Sequence, residues 1–124
     1  MSVVLGVAVG GALGAVSRYG VDTLVDRRSG AAFPLSTLVI NVSGCLAVGF
    51  LIAAIVDRHR TPEWLRVGLI VGFCGGYTTF STFAQETLDL VHGDDWLVVA
   101  ASVGVSVALG VLAVALGLRL GRLV

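Results

Sequence analysis

The sequence contains no lysine, a single methionine and two prolines, and only 13% of its 124 residues are charged. A soluble domain of this length has a high surface-to-volume ratio and needs a polar exterior. A composition that is 56% hydrophobic, with a mean hydropathy of +0.98, does not supply one. A lipid-facing surface removes that requirement. Eight arginines balance eight acids, so net charge is zero and there is no basic footprint for nucleic acid. The two cysteines, Cys45 and Cys74, both lie inside hydrophobic runs. They read as small buried residues rather than a disulfide or metal pair. The chain also lacks a Ser/His/Asp set in a plausible shared pocket, metal-ligand spacing and a phosphate-cradling Gly-Lys motif. His59 and His92 sit in loops and receive no role. An enzyme is not expected.

What is present is four hydrophobic runs. Four spans of about 20 residues would occupy about two thirds of the chain. The expectation is one all-α membrane domain over residues 1–124, with no room for a separate catalytic domain. The first run begins at residue 2 without a preceding positive residue, so it reads as a retained span rather than a signal peptide. Span one is expected from Ser2 to Tyr19, followed by a polar segment from Val21 to Phe33. Span two runs from Leu35 to Val56, and Asp57 to Glu63 reads as a loop. Span three runs from Trp64 to Val91, and span four from Trp96 to Leu118. Trp64 and Trp96 open spans three and four, where indoles favour the membrane interface. Gly6, Gly10 and Gly14 repeat every four residues, as do Gly68, Gly72 and Gly76, and Gly117 and Gly121. Such small-residue faces let helices approach closely. Arginines divide five against three between the two sides, which favours cytoplasmic termini.

Span three is the unusual one. After the apolar stretch Leu65 to Phe73 come Cys74, the pair Gly75-Gly76, and the hydroxyl-rich run Tyr77-Thr78-Thr79-Phe80-Ser81-Thr82-Phe83. Paired glycines and clustered hydroxyls disfavour helix, so a break near mid-membrane is expected. Unwound carbonyls at that depth need protein, water or an ion to satisfy them, and they are suited to a monovalent cation. The alternative is a kink whose carbonyls are satisfied by the hydroxyls of Thr78, Thr79, Ser81 and Thr82. Phe80 and Phe83 share a helix face. Their electropositive ring edges suit a small anion, and the alternative is ordinary core or lipid-facing phenylalanine. Asn41, alone in an apolar run, can donate to an anion or to a neighbouring helix. Ser102 and Ser106 form a polar stripe on span four, unless they bond back to the preceding turn. Arg18 can snorkel to the interface, and Glu86 is expected in a wet vestibule.

The run Gly72-Phe73-Cys74-Gly75-Gly76-Tyr77-Thr78-Thr79-Phe80-Ser81-Thr82-Phe83 closely resembles the signature of the CrcB/Fluc fluoride channels. Gly10 to Tyr19 (GGALGAVSRY) and Thr37 to Gly44 (TLVINVSG) resemble the family's first- and second-span motifs. The resemblance covers the whole chain in order. It implies a fluoride-selective channel in the cell (inner) membrane that exports fluoride passively from the cytoplasm. Phe80 and Phe83 would face fluoride with their ring edges, and Asn41 would be the pore asparagine. Ser81, Thr82 and span-four serines such as Ser106 would form a polar track. The carbonyls of Gly75 and Thr78 would hold a structural sodium ion at the centre of an antiparallel dimer. Arg18 and Glu86 would stand in the vestibules. The partner would be a second copy or an oppositely oriented paralogue. Two rivals are a proton-coupled multidrug exporter, which needs a membrane-embedded acid that span one lacks, and an assembly subunit without transport of its own.

Overall fold

The computed structural model describes residues 2–29, 33–56 and 61–124, with the side chains of 27–29 set aside. The expected loop at 57–60, including Arg58 and Arg60, lies outside the described residues. So do the side chains of Arg27 and Arg28. The described residues form helices and short connections, without strands. Four segments are long and apolar enough to cross a membrane: Val3–Asp26, Leu35–Val56, Glu63–His92 and Trp96–Gly121.

The first helix runs Val3–Ser29, ten residues beyond the expected end of span one. Polarity after Tyr19 therefore does not mark where the helix stops. No proline interrupts Val21 to Arg28, and 27 residues at 1.5 Å each give about 40 Å, more than the hydrocarbon core requires. The second helix starts after Pro34, runs Leu35–Leu51 and finishes with a π-helical stretch at Ile52–Val56. The third span opens after Pro62 with Glu63–Val67, widens into a π-helical stretch at Gly68–Cys74 and closes as helix at Gly75–Tyr77. These three pieces form its proximal arm. Its distal arm is Phe80–His92. The fourth helix is Trp96–Gly121.

The helices pair as first with proximal third and second with fourth. Glycines make both pairings possible. A methyl group added at Gly10 would fall onto the Gly68 carbonyl, and one at Gly14 onto the Phe73 carbonyl. From the other side, a Cβ at Gly76 would stand 2.6 Å from the Gly11 carbonyl. In the second pair, Gly49 meets the Val114 carbonyl and Gly117 the Leu46 carbonyl. The repeats read from the sequence thus lie at backbone-to-backbone contacts, the arrangement that gives dispersion packing where lipid offers no hydrophobic drive.

Candidate functional site: the break in the third span

The expected break is present, but the glycines do not make it. Gly75 is helical (φ −66°, ψ −35°) and stays within the last turn of the proximal arm. The chain unwinds at the two threonines. Thr78 lies at φ −76°, ψ 159° and Thr79 at φ −147°, ψ 117°, both extended. The distal arm then starts at Phe80.

Asn41 holds this extended pair. Its Oδ1 accepts from the Thr79 N–H at 2.8 Å, and its Nδ2 donates to the Thr79 carbonyl at 3.0 Å. The side-chain amide thus bonds both backbone polar groups of one residue, as a neighbouring strand would. Thr79 is buried, and its hydroxyl is engaged as well. Its Oγ1 accepts from the Thr82 N–H at 3.2 Å, capping the distal arm, and donates to Thr82 Oγ1 at 3.0 Å. Ser81 Oγ lies 3.3 Å away. The four carbonyls from Gly75 to Thr78 lose their helical partners as a result, those of Gly75 and Thr78 among them. In a continuous helix the Gly75 carbonyl would accept from Thr79 and the Thr78 carbonyl from Thr82. The Thr79 N–H goes to Asn41 and the Thr82 N–H to the Thr79 hydroxyl. The Thr78 hydroxyl reaches back to the Cys74 carbonyl at 3.0 Å, which already accepts from the Thr78 N–H, so of the freed groups hydroxyls satisfy the Thr82 N–H and not these carbonyls.

One face of span two organises the region. Thr37, Asn41 and Gly44 fall at i, i+4 and i+7, in register on a helix. Thr37 Oγ1 donates to Glu86 Oε1 at 2.8 Å. Gly44 gives room to Thr78: an added Cβ would strike the threonine methyl and approach Tyr77 Cδ1 at 3.3 Å. Beside this face, Ser43 Oγ lies 2.9 Å from the Tyr77 hydroxyl.

Glu86 is therefore tied to span two by one of its oxygens. It is half-buried, and its second oxygen, Oε2, is buried without a partner among the described residues. Arg18 lines a cavity of about 280 Å³ with Ala15, Tyr19, Asp22, Thr37, Ile40, Thr79 and Thr82. A second cavity, of about 300 Å³, is lined by Asn41, Cys45, Val48, Thr78, Thr79, Phe80 and Val114. Thr79 belongs to both cavities. Phe80 is 80% exposed, while Phe83 is half-buried with its ring centroid 5.9 Å from that of Phe80 and tilted by 43°. On span four, Ser106 is partly exposed and Ser102 is fully buried. Ser102 Oγ has no hydrogen-bond partner among the described residues, so it does not bond back to the preceding turn.

Asn41, Thr78, Ser81, Thr82, Phe80 and Phe83 are thus gathered around one break, with Gly75 a turn before it. Ser106 is carried on a different helix. Two residues of the network were not singled out from the sequence: Thr79, its hub, and Thr37. The signal for Thr37 was available, since it lies one turn before Asn41 on the same face. Thr79 was hidden among equivalent hydroxyls, because only the tertiary partner distinguishes it.

A family model described as "CrcB-like protein, Camphor Resistance (CrcB)" matches residues 5–118. The chain belongs to the CrcB family. Among the family's named proteins, the fluoride-specific ion channel FluC of Nitratidesulfovibrio vulgaris is 46% identical over 98% of this chain and 97% of its own. The fluoride-specific ion channel FluC 2 of Symbiobacterium thermophilum is 44% identical, covering 93% and 94%. That of Solibacter usitatus is also 44% identical, covering 94% and 95%. This CrcB chain, with its four apolar spans, is a multi-pass membrane protein.

Proposed function

We propose that this chain is a fluoride-selective channel through which fluoride leaves the cytoplasm passively, and that it works as a dimer with a structural sodium ion at its centre. It is a transport protein and not an enzyme. The observation that carries the reading is the extended Thr78–Thr79 pair within an otherwise helical span, with two phenylalanine rings immediately after it. The names of its relatives supply the ion.

The physical problem is dehydration. Taking a carboxylate-sized ion out of water into a medium of low dielectric costs on the order of 20 kcal/mol, and fluoride is smaller and more tightly hydrated. A pore for it needs closely spaced donors without a full positive charge that would trap it. Ring edges carry partial positive charge, and the rings of Phe80 and Phe83 lie side by side. Asn41 has a second Nδ2 hydrogen beyond the one given to Thr79, and it lines the cavity that also contains Phe80. Ser81 and Thr82 continue the polar groups along the distal arm. Ser106, with its neighbour Ser102, adds hydroxyls from span four. Arg18 would draw anions to the polar cavity at the end of span one, and Glu86 would stand at its border through Thr37.

The donor set suits a sodium ion at the Gly75 and Thr78 carbonyls. Both have lost their helical donors, and the space beside Gly75 is open. A bound sodium ion would supply fixed positive charge that satisfies carbonyl oxygens which otherwise favour rewinding. A second copy, or an oppositely oriented paralogue, would complete the coordination and enclose pores that four spans cannot form alone.

The test is flux from liposomes carrying the purified protein, with fluoride and chloride electrodes. Fluoride should leave while chloride is retained, and Phe80→Ile should abolish fluoride flux without unfolding the protein. Equal rates for both halides would overturn the selective-channel reading. Unchanged flux in Phe80→Ile would remove the ring edges from it.

A further inference from the structure

We propose that Asn41 is a positioning residue whose side-chain amide keeps the third span broken, by holding the Thr79 backbone in its extended state. This goes beyond a role as an ion donor. It rests on the channel reading only for its consequence in flux.

The alternative state of this segment is simple helix. Helical residues precede it up to Tyr77 and follow it from Phe80, so two residues separate the chain from an unbroken span. Rewinding would return the Thr79 N–H to the Gly75 carbonyl. In an apolar layer an unpaired backbone group is costly, so a broken helix persists only if something else satisfies the freed groups. Asn41 does so for the freed Thr79 N–H, at 2.8 Å, and also donates to the Thr79 carbonyl, at 3.0 Å. No other side chain among the described residues bonds the Thr79 backbone.

The residue type fits this task. Only an amide presents an acceptor and a donor side by side, as a peptide group does. Leucine presents neither. Aspartate keeps an acceptor for the N–H, but when ionised it sets a second oxygen against the Thr79 carbonyl. Protonated aspartic acid again carries one acceptor and one donor. The helix position fits as well. Asn41 is one turn from Thr37, which ties Glu86 of the distal arm, and three residues from Gly44, which admits Thr78. Span two therefore fixes the chain on both sides of the break, and Asn41 fixes the break itself.

Hydrogen–deuterium exchange at the Thr79 amide, in the full ¹⁵N-labelled chain in lipid nanodiscs, tests this directly. In Asn41→Leu the Thr79 protection factor should fall by about fivefold if one bond is lost and about thirtyfold if both are while the segment stays extended, or the Thr79 backbone ¹³C shifts should move from extended to helical values as the span rewinds, with span-one and span-four amides unaffected. Asn41→Ala serves if the leucine variant does not fold. In Asn41→Asp the protection should recover as pH falls, a profile that general loosening of the packing would not produce. Thr79 protection at the parent value with backbone ¹³C shifts still extended in Asn41→Leu or Asn41→Ala would overturn the proposal, as would a flat pH profile in Asn41→Asp. Flux measured on the same samples separates the two readings. Loss of fluoride flux with Thr79 protection and backbone shifts both at parent values would make Asn41 an ion ligand alone and refute the clasp. A clasp verified in a protein that conducts no fluoride would leave this inference standing and remove the channel.

Discussion

Thr37→Val deletes one hydroxyl and keeps the side chain's shape, so it isolates the Thr37–Glu86 hydrogen bond. Glu86 receives that bond at Oε1, 2.8 Å from Thr37 Oγ1, while Oε2 is buried without a partner. Removing the hydroxyl leaves a half-buried carboxyl group with neither oxygen bonded inside the chain. A buried acceptor stripped of its partner costs about 1–3 kcal/mol. The variant should therefore lose about 1–3 kcal/mol of stability in detergent, read by denaturant titration. The loss belongs to the pair only if it disappears when Glu86 is absent. In a double-mutant cycle with Glu86→Ala, the coupling energy should be about 1–2 kcal/mol. A coupling below about 0.3 kcal/mol, the usual error of additivity, would mean that the bond holds nothing. The tie between span two and the distal arm would then have to be sought elsewhere.

Gly10→Ala should destabilise by about 1–3 kcal/mol, because its methyl group would meet backbone rather than a movable side chain. Gly20→Ala, with nothing within 4 Å of the added atom, should be neutral or gain about 0.5 kcal/mol. Equal effects in thermal melts of the two variants would refute the close packing of spans one and three. Ser102→Ala removes a fully buried hydroxyl without a partner and should raise stability by about 1 kcal/mol. If that hydroxyl serves a passing anion, fluoride flux should fall in the same protein, and a fall in both quantities would show that Ser102 is a structural residue.

Much of this architecture was legible in the sequence because the bilayer imposes simple constraints. Hydropathy alone delimits spans two, three and four to within a few residues. The glycine repeats announce the faces that meet, since only small residues allow backbones to touch. Span one was read too short because polarity was taken as the end of a helix, whereas Asp22 and Asp26 sit on a helix that runs on to Ser29. The break was foreseen from two features, and the structure keeps one of them. Glycine's low helix propensity pointed to Gly75-Gly76, yet both remain helical, while the chain unwinds at Thr78 and Thr79 in the hydroxyl run that follows. Gly76 is small because Gly11 presses on it, and propensity carries little weight beside such a contact. The bonds that stop the helix come from Asn41, 38 residues away, a separation at which one sequence gives no sign of pairing. The Thr37–Glu86 bond was hidden for a similar reason: Thr37 is remote in sequence and ordinary in type.

The two kinds of contact divide the molecule's tasks. Spans one and three, like spans two and four, meet through glycine backbones, and such seams leave little room for polar side chains. Polar groups are instead concentrated where the two pairs meet, between span two and the third span. Their order runs antiparallel there: Thr37 meets Glu86, Asn41 meets Thr79, and Ser43 and Gly44 meet Tyr77 and Thr78. Span two is a regular helix throughout this stretch, so it acts as a fixed template against which the third span is held out of helical register. Glycine's part in the break is therefore permissive. Gly44 lets the threonines come close and Gly76 lets the proximal arm lie against span one, but neither would keep the chain unwound without the amide of Asn41. Restoring helix propensity at Gly75 would not mend the span, because Gly75 is helical already. Only a change in what Thr79 bonds to would do so.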